Sequence, residues 1–136
     1  MKARIQVKCD TRNLRKIREF VRDTLLALDV RRKDSHLIVL AMDEACSNAI
    51  IHHHHCDGVS SIDVVIYRTE TELRLEIEDT GKAFPIHTYK PGKLSDLVKL
   101  RRKGGLGISL IHKVMDKIEV EQFNGYYIYR FTKNLK

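Results

Sequence analysis

The sequence predicts a two-layer α/β sandwich: a mixed, mainly antiparallel sheet with helices on one face. Three observations lead there. Apolar residues alternate in short runs at 3–8, 60–68, 72–79, 117–122 and 126–132, the period-two mark of half-buried strands. Two longer stretches, opening near Asp10 and Asp34, place apolar residues at steps of three and four, which suits helices. No repeat or low-complexity linker interrupts the chain, so residues 1–136 are expected to form one domain, a length able to bury a core unaided.

Each element has its own local signature. Ile5 and Val7 mark the first strand, and Asp10 or Thr11 can cap a helix along Leu14, Ile17, Val21, Leu25 and Leu28. A second helix is expected over about 35–54, capped by Asp34. Its apolar residues, Leu37, Ile38, Leu40, Ala41, Met42, Ala45, Ala49 and Ile51, cover most of the circumference and predict a largely buried helix. The runs 60–68 and 72–79 read as an antiparallel hairpin. The stretch from about 82 to 104 is irregular and basic and contains Pro85, Pro91 and Gly92. Connections of that length usually serve as functional lids or stay disordered. A third helix follows from Gly104 to about 115, and a closing hairpin turns at Asn124-Gly125.

Composition narrows the function. An apolar fraction of 43% with 32% charged residues is ordinary for a globular domain. No apolar run approaches the roughly 20 residues of a membrane span, and the first residues lack the apolar core of a signal peptide. Cys9, Cys46 and Cys56 are odd in number and form no CxxC pair, which argues against a disulfide framework. A cytoplasmic location is the expectation. The net charge of +7 includes local groups at Arg31-Arg32-Lys33 and Arg101-Arg102-Lys103. It suits an anionic nucleotide or an acidic protein partner, or simply a soluble surface. Direct nucleic-acid binding is not expected, because no groove-reading motif or stacking aromatic cluster accompanies the charge.

Three local anomalies carry chemistry. Glu44 and Asn48 are four apart on the second helix and point the same way, toward the side shared by Leu37, Leu40, Ala41 and Ile51. A carboxylate there is costly unless paired, protonated or coordinating something. The bland alternative is a salt bridge at the helix edge, with Asn48 on backbone. Asp79 shares the strand face of Leu73, Leu75 and Ile77, and Thr80-Gly81 follows it. Asp-Thr-Gly is an ordinary turn, but a buried acceptor beside a glycine also suits an exocyclic amine on an approaching ring. Finally, Lys103-Gly104-Gly105-Leu106-Gly107 precedes an apolar helix. Its backbone N–H groups would favour phosphate, with Lys103 adding a charge; taken alone, the glycines make only a hinge.

Together, and in this order, the three resemble the N, G1 and G2 boxes of the GHKL (Bergerat-fold) ATPases. The matching segments are Asp43-Glu44-Ala45-Cys46-Ser47-Asn48-Ala49-Ile50-Ile51-His52, then Asp79-Thr80-Gly81-Lys82-Ala83-Phe84, then Gly104-Gly105-Leu106-Gly107-Ile108. Within that superfamily the chain is most similar to the anti-sigma-factor serine kinases, over nearly its whole length. The resemblance implies ATP and Mg2+ as ligands, Glu44 as general base and Asn48 on the metal. It also implies Asp79 on the adenine amine and a nucleotide pocket including Gly81, Phe84, Lys103, Gly104, Gly105, Leu106 and Gly107. The stretch 82–104 would be the ATP lid, and His52 would be structural. Ala83-Phe84-Pro85 stands where many relatives have a second glycine.

The implied function is a protein-serine kinase of a partner-switching pathway. It would bind a sigma factor in one state and phosphorylate a STAS-domain antagonist in another, with a homodimer as one open assembly. Arg12, Arg15, Arg18 and Arg22 form a candidate partner surface on the first helix, or simply a solvated face. Two other functions stay open: a regulatory module that uses ATP without transferring phosphate, and a stand-alone or detached histidine-kinase-like ATPase domain. The run His52–His55 with Cys56 offers one i,i+4 pair, too few ligands to close a tetrahedral metal site.

Overall fold

The computed structural model describes residues 2–53, 58–79, 105–123 and 126–135. Strand β1 (Lys2–Lys8) leads through a short 3-10 turn (Thr11–Asn13) into α1 (Leu14–Ala27), followed by α2 (Arg32–Ser47) and a π-helical turn (Asn48–His53). Then come β2 (Ser61–Arg68), β3 (Glu72–Asp79), α3 (Gly105–Val114), β4 (Lys117–Phe123) and β5 (Tyr126–Asn134). The five strands order as β1-β2-β3-β5-β4, and each of the four pairings is antiparallel. The mainly antiparallel sheet expected from sequence is thus antiparallel at every described pairing. The stretch expected to form a lid lies outside the described residues.

Alternation sorts the sheet into two faces. Ile62, Val64 and Ile66 of β2, Leu73, Leu75 and Ile77 of β3, and Tyr129 and Phe131 of β5 join one core. Ile17, Val21 and Leu25 of α1, Ile38, Ala41, Met42 and Ala45 of α2, and Ile111 and Val114 of α3 join it from the helical layer. The other face is ionic. Arg4 bridges Asp63 at 2.7 Å and Glu78 at 2.5 Å, and Arg130 bridges Glu76 at 2.9 Å and Glu121 at 2.6 Å. Tyr67 also donates to Glu76, at 2.8 Å. These rows cross β1, β2, β3, β5 and β4, so long side chains shield the face that no described helix covers.

The Asp10 carboxylate accepts from the Arg12 backbone N–H at 2.9 Å and so caps the 3-10 turn, not α1, whose N-cap Asn13 makes no side-chain cap bond. The second helix departs from expectation. It opens three residues early, at Arg32, with Arg31 at the N-cap making no side-chain cap. Asp34 lies inside the first turn and takes a hydrogen bond from Arg31 at 3.4 Å. A carboxylate opposes the positive helix end from there as well as from the cap. Nor is α2 buried all round: Leu37 and Leu40 are 38% and 44% exposed, whereas Ile38, Ala41 and Met42 are sealed. Counting apolar residues around the circumference overlooked that only one side meets the sheet.

A tight junction joins α1 to α2. Asp29 adopts a left-handed backbone (φ 56°), and the N–H groups of Leu28, Asp29 and Val30 return to carbonyls of the last α1 turn. Arg68 of β2 donates to the Leu28 and Asp29 carbonyls at 2.6 and 3.2 Å. The sheet therefore pins the corner at which the two helices part.

Candidate functional site

The C-terminal half of α2 carries the first part of the site. The Asn48 backbone N–H donates to the Glu44 carbonyl, so the two side chains stand one turn apart on one face. Immediately after, the helix widens into its π turn, a distortion often met at functional positions. The Asn48 side chain is 5% exposed, and its Nδ2 has no hydrogen-bond partner among the described residues. A buried amide in that condition fits an external polar ligand, since leaving it unsatisfied is costly. Its oxygen is of the hard type that Mg2+ takes, and its nitrogen suits a phosphate oxygen.

Glu44 lies at the edge of this face, half-buried and on the side of the exposed Leu37 and Leu40, rather than deep in the core. Burial raises its proton affinity, and the negative charge of Asp43 adds to the rise. That makes a stronger base than an ordinary glutamate. The sequence includes Asp43 in the matching segment but offers no sign of its own role beside Glu44. Asp43 is held by Arg18 of α1, 3.0 Å from its carboxylate. Cys46 on the opposite side is fully buried, and burial pushes its thiol far up, which rules it out as a nucleophile.

Asp79 ends β3, the central strand, on the core face and is 1% exposed. It pairs in register with Ile62 and Tyr127. Helix α3 begins with Gly105-Leu106-Gly107 and packs against α2. The first N–H groups of any helix lack intrahelical acceptors, so that turn presents donors. Ser109 of the same helix is buried at 3% exposure, a polar core position not singled out from sequence. Gly81, Phe84, Lys103 and Gly104 lie outside the described residues, as do His54, His55 and Cys56. No metal-binding group of three His, Cys, Asp or Glu occurs among the described residues. A groove of about 760 Å3 opens elsewhere, between the end of α1 and the start of α2, and none of the expected nucleotide residues lines it.

The model of the histidine kinase-like ATPase domain matches residues 7–133, across all three segments. The chain belongs to that family. Family membership carries ATP as the nucleotide of this fold, and the segments that bear Glu44, Asn48 and Asp79 fall inside the match. The chain is similar to the serine-protein kinase RsbW of Bacillus licheniformis, 30% identical over 90 residues. That alignment covers 63% of this chain and 56% of the relative. RsbW of Staphylococcus aureus is 30% identical over 102 residues, covering 71% and 64%. The chain thus spans less than two thirds of the length of these relatives. Two solved structures share the fold. The RsbU and RsbW domains of a Mycobacterium tuberculosis protein superpose with TM-score 0.70 at 17% identity, covering 99% of this chain and 32% of that one. The SiaB–SiaC complex of Pseudomonas aeruginosa gives 0.64 at 14% identity, covering 96% and 88%.

The four arginines of the expected partner surface do not act alike. Arg12 pairs with Asp10 at 2.9 Å, Arg15 with Glu19 at 3.2 Å and Arg22 with Asp23 at 3.6 Å. Each is partly neutralised by its own segment. Arg18 instead joins α1 to α2. Among the described residues no helix is long and apolar enough to cross a membrane.

Proposed function

We propose that this domain is an ATP-dependent protein-serine kinase of a partner-switching system, acting on a STAS-domain antagonist of a sigma factor in the cytoplasm. The observation that carries it is the half-buried Glu44, a carboxylate of raised proton affinity one turn from a buried Asn48 whose Nδ2 has no partner among the described residues. The similarity to RsbW serine-protein kinases supports the same assignment.

In this mechanism Glu44 takes the proton from the attacking serine hydroxyl as the phosphoryl group transfers. Asn48 offers its amide oxygen to Mg2+, which when bound neutralises phosphate charge. Asp79 accepts from the adenine amine, with Gly81 leaving room for the ring and Phe84 beside it. Lys103 and the N–H groups of Gly104, Gly105, Leu106 and Gly107 hold phosphate oxygens. The surface formed by Arg12, Arg15, Arg18 and Arg22 receives the partner, and a homodimer is the proposed assembly.

The test incubates the protein with labelled ATP and a cognate STAS protein. Transfer of label to serine, lost in Glu44→Ala, is expected. Normal partner binding and ATP binding without transfer would leave an ATP-sensing module, and phosphate release without a partner would leave an ATPase. Full ATP affinity in Asp79→Asn would remove the nucleotide site itself.

A further inference from the structure

Helix α2 carries an apolar stripe that the nucleotide chemistry does not use. Leu37 and Leu40 are two of the four large apolar side chains left exposed among the described residues. A lone exposed leucine needs no explanation. These two differ because Leu37, Leu40 and Glu44 follow at steps of three and four, which stacks all three on one helix face. Leu40 therefore lies about 6 Å along the axis from Glu44, and Leu37 about 10 Å.

The surroundings of Glu44 decide which way a substrate chain can run. A hydroxyl that gives its proton to Glu44 must come within roughly 3 Å of the carboxylate. Toward the C-terminal end of α2 the course is closed, because Asn48, Ala49 and Ile50 are buried. Toward α1 the Arg18–Asp43 bridge spans the two helices. The open course runs back along α2, over Leu40 and then Leu37. Their side chains offer neither a hydrogen bond nor a charge, so apolar side chains gain most from meeting them.

We propose that Leu37 and Leu40 are specificity-determining residues of the phosphoryl transfer, receiving aliphatic side chains that flank the target serine of the protein substrate. This role rests on the kinase reading above and adds the chemistry of the substrate to it. A residue two away in an extended substrate, or four away in a helical one, stands about 6 Å from the serine and on its side. That separation matches the step from Glu44 to Leu40.

Steady-state kinetics on the cognate STAS protein test it, with ATP affinity measured separately for each variant. Leu37→Ser and Leu40→Ser, both at exposed positions, should each raise KM for the protein substrate about tenfold, the worth of one leucine newly covered. Turnover and ATP affinity should stay within about twofold, since only substrate binding is lost. Leu40→Met should restore most of the KM. Leu26→Ser, at an equally open leucine that lies with His36 and Val39 on another side of α2, should change nothing. Serine replacements of the aliphatic residues two and four positions from the target serine should reveal one whose effect is not additive with Leu40→Ser. An unchanged KM in both leucine variants, an equal rise in Leu26→Ser, or additivity at every substrate position overturns the proposal while the kinase reading stands. A fall in ATP affinity overturns it too, because the leucines then serve the nucleotide. Absence of transfer by the wild-type protein, with ATP bound, removes the kinase reading and this role with it.

Discussion

Arg18 of α1 donates from Nη1 to Asp43 of α2 at 3.0 Å, one residue before Glu44. The pair ties the two helices together on the side that carries the proposed base. Its side chains are 45% and 28% exposed, so solvent weakens it. Arg18→Ala should cost no more than about 1 kcal/mol in urea unfolding. Arg15→Ala, whose partner Glu19 sits on the same helix and whose own side chain is 82% exposed, should cost less. A loss of several kcal/mol in Arg18→Ala would show that the pair is effectively buried.

Glu44 supplies a pH signature. It must be ionised to accept a proton, and burial with Asp43 nearby raises its proton affinity. Phosphoryl transfer should therefore fade, as pH falls, at a higher pH than an ordinary glutamate would give. Glu44→Gln should lower transfer by roughly 10²–10⁴-fold while retaining ATP binding, measured by single turnover. The stability effect has the opposite sense. A raised carboxylate favours the fold below its unfolded-state value and loses that advantage as pH rises through the folded one. Glu44→Gln should thus gain slightly in thermal midpoint at neutral pH and lose the gain in acid.

On the opposite face, Glu76 shows the reverse shift. Burial opposes its ionisation, but hydrogen bonds from Arg130 and Tyr67, with the charges of Arg130 and Lys2, outweigh burial and hold it below the usual range. A lowered carboxylate stabilises the fold above its unfolded-state value, and that contribution is lost as pH falls through the folded one. With Glu76 only 9% exposed, Glu76→Gln should cost about 1–3 kcal/mol at neutral pH. The difference from wild type should shrink in acid, as read by denaturant unfolding across pH.

Two neighbours on α2 test which side of the helix faces the sheet. Ile38 is fully buried and Leu37 is 38% exposed. Ile38→Ala should lose about 2–5 kcal/mol through the cavity it leaves, and Leu37→Ala less than about 1 kcal/mol. Comparable losses would restore the all-round burial suggested by the sequence.

The sequence alone determined the elements and their faces. Strand alternation settled that Asp79 ends the core side of β3, because a period of two admits no other placement once Leu73, Leu75 and Ile77 are inside. Helical spacing put Glu44 and Asn48 on one face for the same kind of reason. Only the tertiary structure decided what lies against those faces. Whether Leu37 and Leu40 are covered depends on where the sheet ends, and the Arg18–Asp43 contact spans 25 positions that no local period relates. In the folded chain Glu44 is an edge carboxylate beside a second acid, and Asn48 is buried with an Nδ2 that has no partner among the described residues. Burial and charge pairing are sums over residues distant in the chain, so they appear only when the chain is folded.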